Sequence, residues 1–307
     1  MIRLVVIRLL QLPLILAVIF GVTLTLAWFI PGNPLDRPDQ SRPPVEIEQA
    51  MLRQYNLDSP WRFARSYVWN VVTRLDFGPS LQYRDQRVND LINSGLPVSA
   101  IMGVAALFIA LHVGLIAGAI GALRPGGVLD LSSVVIALIG VSLPTFVTGS
   151  VLLVVFGGLL QWAPIAGWGT PMHLVLPAIT LAAAPAAYIA RLIRLGLAEV
   201  LSNDYIRTAR AKGLSPGTVL VKHAMKVAFL PVLSFLGPAA AATMTGSFVV
   251  EKVFAIPGLG EHFVNAVLNK DQFLILGLVL TYSTILVLFN LIVDVAYAWV
   301  DPRIELD

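Results

Sequence analysis

Charged residues are spaced so unevenly along this chain that they mark out its organisation. Five runs without a formal charge separate Arg8 from Asp36, Asp90 from Arg124, Asp130 from Arg191, Lys226 from Glu251, and Asp271 from Asp294. Crossing the hydrocarbon core of a bilayer takes about 20 apolar residues at 1.5 Å each, and every run is long enough. The run between Asp130 and Arg191 is too long for one helix. Its middle, Gln161 to His173, carries Trp162, Pro164, Trp168 and Pro171 among glycines, which reads as a turn with tryptophans at a membrane interface. The pattern predicts six transmembrane helices.

Composition agrees with lipid as the main solvent. The 307 residues are 57% apolar and only 13% charged, against about 25% in a soluble protein, and the mean hydropathy is +0.81. Disorder, coiled coil and collagen are excluded by the same figures. Cysteine is absent, which removes disulfides and thiolate metal sites. A net charge of +3 gives no reason to invoke nucleic acid.

Arg3 and Arg8 precede the first apolar run as in a signal peptide. That run is longer than a typical signal core and lacks a clear small-residue cleavage site, so it reads as a retained first helix. Arg191, Arg194, Arg207, Arg210, Lys212, Lys222 and Lys226 crowd around the loop between the fourth and fifth helices, whereas the hairpin between the third and fourth has no charge. The cationic bias of cytoplasmic loops then places that loop and both termini inside. Residues 31–94 form the one sizeable hydrophilic insertion, outside the membrane, between an N-terminal helix (1–30) and a core of five spans (95–307). Within it, Pro43-Pro44 before Val45–Tyr55 and Pro60 before Trp61–Leu75 predict two short helices, and Asp76-Phe77-Gly78-Pro79-Ser80 a turn. The insertion reads equally as a plain cap or as a contact surface for another protein.

Sites of chemistry are mostly missing, and no catalytic or metal-binding set stands out. There is no G-x-x-x-x-G-K-[ST] phosphate loop, so ATP-driven work requires a partner. His112, His173, His223 and His262 are far apart and read as hydrogen-bonded packing residues. Asp294 is the main ionisable residue inside a span, and its depth suggests a pair with Arg191 or Arg194; the alternative is a carboxylate that snorkels to water.

The loop around 199–226 is the strongest signal. It runs Asn203-Asp204-Tyr205-Ile206-Arg207-Thr208-Ala209-Arg210-Ala211-Lys212-Gly213-Leu214-Ser215-Pro216. Asn203 or Asp204 can cap a short helix, Gly213 can end it in the left-handed conformation, and Ser215-Pro216 can start another. Small residues Thr208, Ala209 and Ala211 would admit a second backbone, with Arg207, Arg210 and Lys212 left outside. A merely positive topogenic loop explains the charges but not this helix, glycine, helix order.

These residues resemble the permease subunits of ATP-binding-cassette importers, and the I-R-T-A-R-A-K-G-L form resembles the peptide-importer branch, in particular its oligopeptide and dipeptide permease B subunits. The likeness extends to Pro31-Gly32-Asn33-Pro34, Ser142-Leu143-Pro144, Gly246-Ser247, Pro257-Gly258-Leu259-Gly260 and Asp301-Pro302-Arg303. The general importer pattern in the loop begins with glutamate, where this chain has Arg207. The resemblance implies a type I importer permease fold in a bacterial inner membrane. It also implies that Tyr205, Arg207, Thr208, Ala209, Arg210, Ala211, Lys212, Gly213 and Leu214 dock on a separate ATPase subunit, where ATP and Mg would bind. Implied partners are a second, nonidentical permease, two ATPases and an extracytoplasmic solute-binding protein that meets the insertion and the loop at Pro257–Gly260. Peptides are the implied cargo; nickel complexes, glutathione or another small solute are alternatives in the same class, and a proton-coupled carrier or channel is the alternative outside it. Ser142, Thr243, Thr245 and Ser247 are candidate pathway-lining residues, and like Gly114 and Gly118 they read also as helix-packing sites.

Overall fold

The computed structural model describes residues 2–35, 45–83, 85–123, 125–245 and 247–300. It is all-α: among the described residues there is no strand, and one isolated bridge pairs Pro79 with Arg87. Five helices are long and apolar enough to cross a membrane: α1 (Ile2–Phe29), α4 (Val88–Leu123), α7 (Pro171–Val200), α11 with α12 (Leu230–Thr245 and Ser247–Val253), and α14 (Gln272–Val300).

The third expected span is not one helix. Segment α5 (Val128–Ser142) stops at Leu143, which is extended at φ −81° and ψ 130°, and α6 (Thr145–Leu152) starts after Pro144 and continues as a π-helical turn to Leu159. The residue before a proline is pushed out of the helical region, so Leu143-Pro144 divides an apolar stretch that hydropathy alone runs together. The two short insertion helices appear as α2 (Val45–Gln54) and α3 (Pro60–Arg74). Pro60 fills the first turn of α3, and Leu75 closes it in the left-handed region at φ 52°, its N–H donating to Val71 O at 3.0 Å. Helix α4 passes without interruption through the expected boundary at 94–95, because polar Asn89, Asp90, Asn93 and Ser94 continue the apolar helix outward by two turns.

The chain sorts into two compact units that do not follow chain order: Ile7–Ser99 with Pro257–Ile285, and Met1–Val6 with Ala100–Ile256 and Leu286–Asp307. In the first unit the core gathers Ala27, Phe63, Tyr67, Leu81, Val88 and Leu91 with Leu259, Leu274, Leu276 and Leu278. Aromatic rings tie it together: Phe63 meets Phe273 edge-on at 5.0 Å, and Tyr67 stacks on Phe20 at 5.6 Å. Thus the hydrophilic insertion and the segment around Pro257–Gly260, far apart in sequence, belong to one folded body.

The second unit is organised on α7, which buries Leu176, Thr180, Ile189, Ile193 and Leu197. Glycines let α4 come close to it. A Cβ on Gly114 would lie 2.7 Å from Ile189, and one on Gly118 would lie 2.5 Å from the Ala190 carbonyl oxygen. A G-x-x-x-G pair facing small residues is how helices pack in lipid, so these two glycines are packing sites rather than pathway lining.

Candidate functional site

The elbow follows α7 directly. Asn203 is extended at φ −71° and ψ 150°, and α8 (Asp204–Ala211) begins after it. Lys212 ends that helix, and Gly213 turns the chain at φ +79°, a conformation that costs a side-chain-bearing residue about 1–2 kcal/mol. Ser215 then caps α9 (Pro216–Thr218), its hydroxyl accepting from Thr218 N–H at 3.3 Å. A π-helical turn, Val219–Ala224, and α10 (Met225–Ala228) lead into α11.

Two faces divide α8. Ile206 and Ala209 are buried, and the helix packs against the Val219–Ala224 turn. Ala209 therefore serves the elbow's own packing, and it is not open to a second backbone as the sequence suggests. Tyr205, Arg207, Thr208, Arg210, Ala211, Lys212, Gly213 and Leu214 are all exposed. Among the described residues Arg207 pairs only with Asp204, one turn earlier at 3.2 Å, and Thr208 Oγ1 donates to the Asp204 carbonyl at 3.0 Å. A Cβ on Gly213 would meet nothing within 4 Å, so space is available there and only the backbone angle demands glycine.

Two turns above the end of α7, Arg194 donates through Nε and Nη2 to both oxygens of Asp130, the latter bond 2.9 Å long. This is a fork-to-fork pair between α7 and the first turn of α5, with Asp130 almost wholly buried. Gly126 N–H adds a bond to Asp130 Oδ2 at 2.9 Å, so the turn before α5 is fastened to α7 as well. The pairing expected from depth is thereby corrected: Arg194 is taken by Asp130, not Asp294, and Arg191 makes no ion pair among the described residues.

The expected pathway residues scatter. Ser142 is exposed at the end of α5, while Thr243 is only 2% exposed and its hydroxyl donates to Ala240 O at 3.0 Å, which removes it from any lining surface. The side chains of Thr245 and Ser247 lie outside the described residues. His112 bonds Phe108 O at 2.8 Å and His173 bonds Thr170 Oγ1 at 2.7 Å, both exposed and within one turn, whereas His262 lies edge-on to Tyr83, 179 residues earlier.

Sequence reasoning missed a clamp in the first unit. Asp271 is fully buried just before α14; its Oδ1 accepts from Leu274 N–H at 3.1 Å, and Oδ2 from Ser80 Oγ at 2.5 Å and Leu81 N–H at 2.9 Å. It caps the helix and fastens a loop 190 residues earlier. Burial pushes its carboxyl above the usual range, and the donors from Ser80, Leu274, Gln82 and Leu81 pull the other way without cancelling that. A lone acid directly before an apolar run was the available signal for a helix cap, but nothing local could name Ser80 as partner. Beside the clamp opens a cavity of about 740 Å³, lined by Tyr55, Ser80, Tyr83, Asp85, Gln86 and Arg87 among others.

Long apolar helices with a glycine-broken helical elbow after α7 are the fold of type I importer membrane subunits. A chain of the methionine ABC transporter MetNI, solved in inward-facing conformations, superposes with a TM-score of 0.54 at 19% identity, covering 69% of this chain and 97% of that one. The family model for the inner membrane component of binding-protein-dependent transport systems matches residues 110–306, and the chain belongs to that family. Among its relatives, the dipeptide transport system permease protein DppB of Bacillus subtilis is 42% identical over 94% of this chain and 93% of its own length. The oligopeptide permease proteins OppB of Haemophilus influenzae and Escherichia coli K12 are 40% and 38% identical, each over 92% of this chain and 94% of their own.

Proposed function

We propose that the chain is one permease half of an ATP-driven importer that carries peptides, the solute class of the dipeptide and oligopeptide permeases to which it is similar. In this reading it crosses the membrane six times, the third crossing being made of α5 and α6 across the Leu143-Pro144 break, with both termini in the cytoplasm. It pairs with a nonidentical permease. Two ATPase subunits bind ATP and Mg on the cytoplasmic side, and an extracytoplasmic binding protein delivers cargo to the unit that contains the insertion.

The observation that carries the reading is the elbow. Its inward face, Ile206 and Ala209, is packed, while its outward face is a solvated row of Tyr205, Arg207, Thr208, Arg210 and Lys212, of which Arg207 and Thr208 bond only to Asp204 in the same helix among the described residues. Closure of an ATP-bound ATPase pair would displace α8 as a body. Because α7 leads into α8 and the Asp130–Arg194 pair fastens α5 to α7, that displacement reaches two membrane helices together. The pathway then opens alternately to the two sides, and no step of chemistry falls to this chain.

The test is uptake of a labelled tripeptide into vesicles holding the purified complex with its binding protein. Accumulation that requires ATP hydrolysis supports the reading. Uphill accumulation by this chain alone, driven by a proton gradient, would overturn it.

A further inference from the structure

We infer that α3 is an interfacial helix, one flank of which faces lipid, starting at the membrane face where α1 ends and α14 begins. Its sequence, Pro60 to Arg74, contains Arg62, Arg65 and Arg74 and no acidic residue, yet two tryptophans and two valines stand on its exposed surface. Trp61 is 78% exposed, Trp69 66% and Val72 74%, with Val68 also open. A helix of a water-facing cap does not leave so much apolar area uncovered without an occupant.

Helical geometry sorts the residues into three sectors. With Tyr67 set toward the core, a step of about 100° per residue puts Val68, Trp61 and Val72 at roughly 100–140° on one flank and Ser66, Thr73 and Arg62 at the mirror positions on the other. Arg65 and Trp69 fall between them, opposite the core. One sector is thus buried in protein, one is apolar and one is polar, with an arginine and a tryptophan at the seam. That is the distribution of a helix at a lipid boundary, where indole rings and guanidinium groups sit near headgroups.

The level of α3 follows from what its buried sector touches. Phe63 packs on Phe273, the second residue of α14, and on Trp28 in the last turn of α1, while Tyr67 stacks on Phe20 two turns further back, so α3 starts where those spans end and leans along α1. The charge-free run of α14 begins directly after Asp271, so α3 abuts the start of an apolar span, where the headgroups must be. Positive charge without any carboxylate on the helix complements anionic phospholipid, and Asp58, which pairs with Arg62 at 3.2 Å, precedes the helix and stands on the polar flank. A bilayer therefore fits this face better than a protein partner does.

Because the chain has no cysteine, single-cysteine variants report position cleanly. Val72→Cys and Thr73→Cys, neighbours on opposite flanks, would each carry an environment-sensitive fluorophore in the full chain reconstituted in phosphatidylethanolamine and phosphatidylglycerol vesicles. The label at Val72 should lose most of its emission to brominated lipid and little to iodide present on both sides; the label at Thr73 should do the reverse. Val68→Cys repeats the lipid-side measurement should Val72→Cys not fold. Strong quenching of the Val72 label by iodide would place this flank in water and overturn the inference. Shielding from both quenchers would assign it to a protein contact and overturn it equally.

Discussion

The insertion-bearing unit and the elbow after α7 are built on opposite plans. In the former, groups 190 residues apart close on one another: Asp271 holds the Ser80–Leu81 loop, Phe63 and Tyr67 sit among Phe20 and Phe273, and a Cβ on Gly78 would lie 2.5 Å from Phe273. The elbow buries only Ile206 and Ala209 of α8, and its cations face solvent, the one ion pair of α8 among the described residues being Arg207 with Asp204 in the same helix. A segment that satisfies itself is a scaffold, whereas one that leaves its polar face unspent at the end of a long lever is a handle for something else. Substitutions in the two regions should accordingly separate, those in the scaffold altering stability and those in the elbow altering work done.

The largest expected effect is Phe63→Ala, which empties the centre of the aromatic cluster and should destabilise its unit by about 3–5 kcal/mol, read as a lowered unfolding temperature in detergent. Asp271→Ala comes next. It strands the hydroxyl of Ser80 and the N–H groups of Leu81 and Leu274, each costing about 1–3 kcal/mol when buried without an acceptor, partly relieved if water enters. Limited proteolysis should then cut near Ser80–Gln82 before any other site in that unit; protection there equal to wild type would mean the clamp is dispensable.

Smaller again in stability, but larger in function, is the joint between α5 and α7. Asp130→Asn should weaken the link between elbow motion and α5, lowering peptide carried per ATP hydrolysed, and the exchange Asp130→Arg with Arg194→Asp should restore part of it. If both single variants transport at the wild-type ratio, the pair is only structural. Arg207→Gln is the smallest in stability: an exposed i, i+3 pair contributes almost nothing, so its unfolding temperature should match wild type.

How much of this could be read beforehand depended on whether the cause was local. Helices α2 and α3 announced themselves through Pro44 and Pro60, and the elbow through Asn203, Gly213 and Ser215-Pro216, because caps and left-handed turns are decided by adjacent residues. The break at Leu143-Pro144 was hidden inside a charge-free run, where hydropathy has no contrast. Depth suggests Arg191 or Arg194 as a partner for Asp294, or a carboxylate that snorkels to water; Arg194 is held by Asp130, 64 residues away, a choice only the packing of α5 on α7 makes. Thr243 reads from sequence either as lining or as a helix-packing site, and it is buried, since a threonine in a helix can satisfy its hydroxyl on a preceding carbonyl and turn inward.

The central claim is that the elbow hands work from a partner ATPase to this chain, and Gly213 isolates it. A Cβ there would meet nothing within 4 Å, so the expected cost of Gly213→Val is strain in the left-handed turn, about 1–2 kcal/mol. The decisive measurement is the ratio of peptide accumulated to ATP hydrolysed by the assembled complex in vesicles. The account predicts that Gly213→Val keeps hydrolysis and lowers that ratio by about tenfold, the equivalent of roughly 1.4 kcal/mol; an unchanged ratio would contradict it.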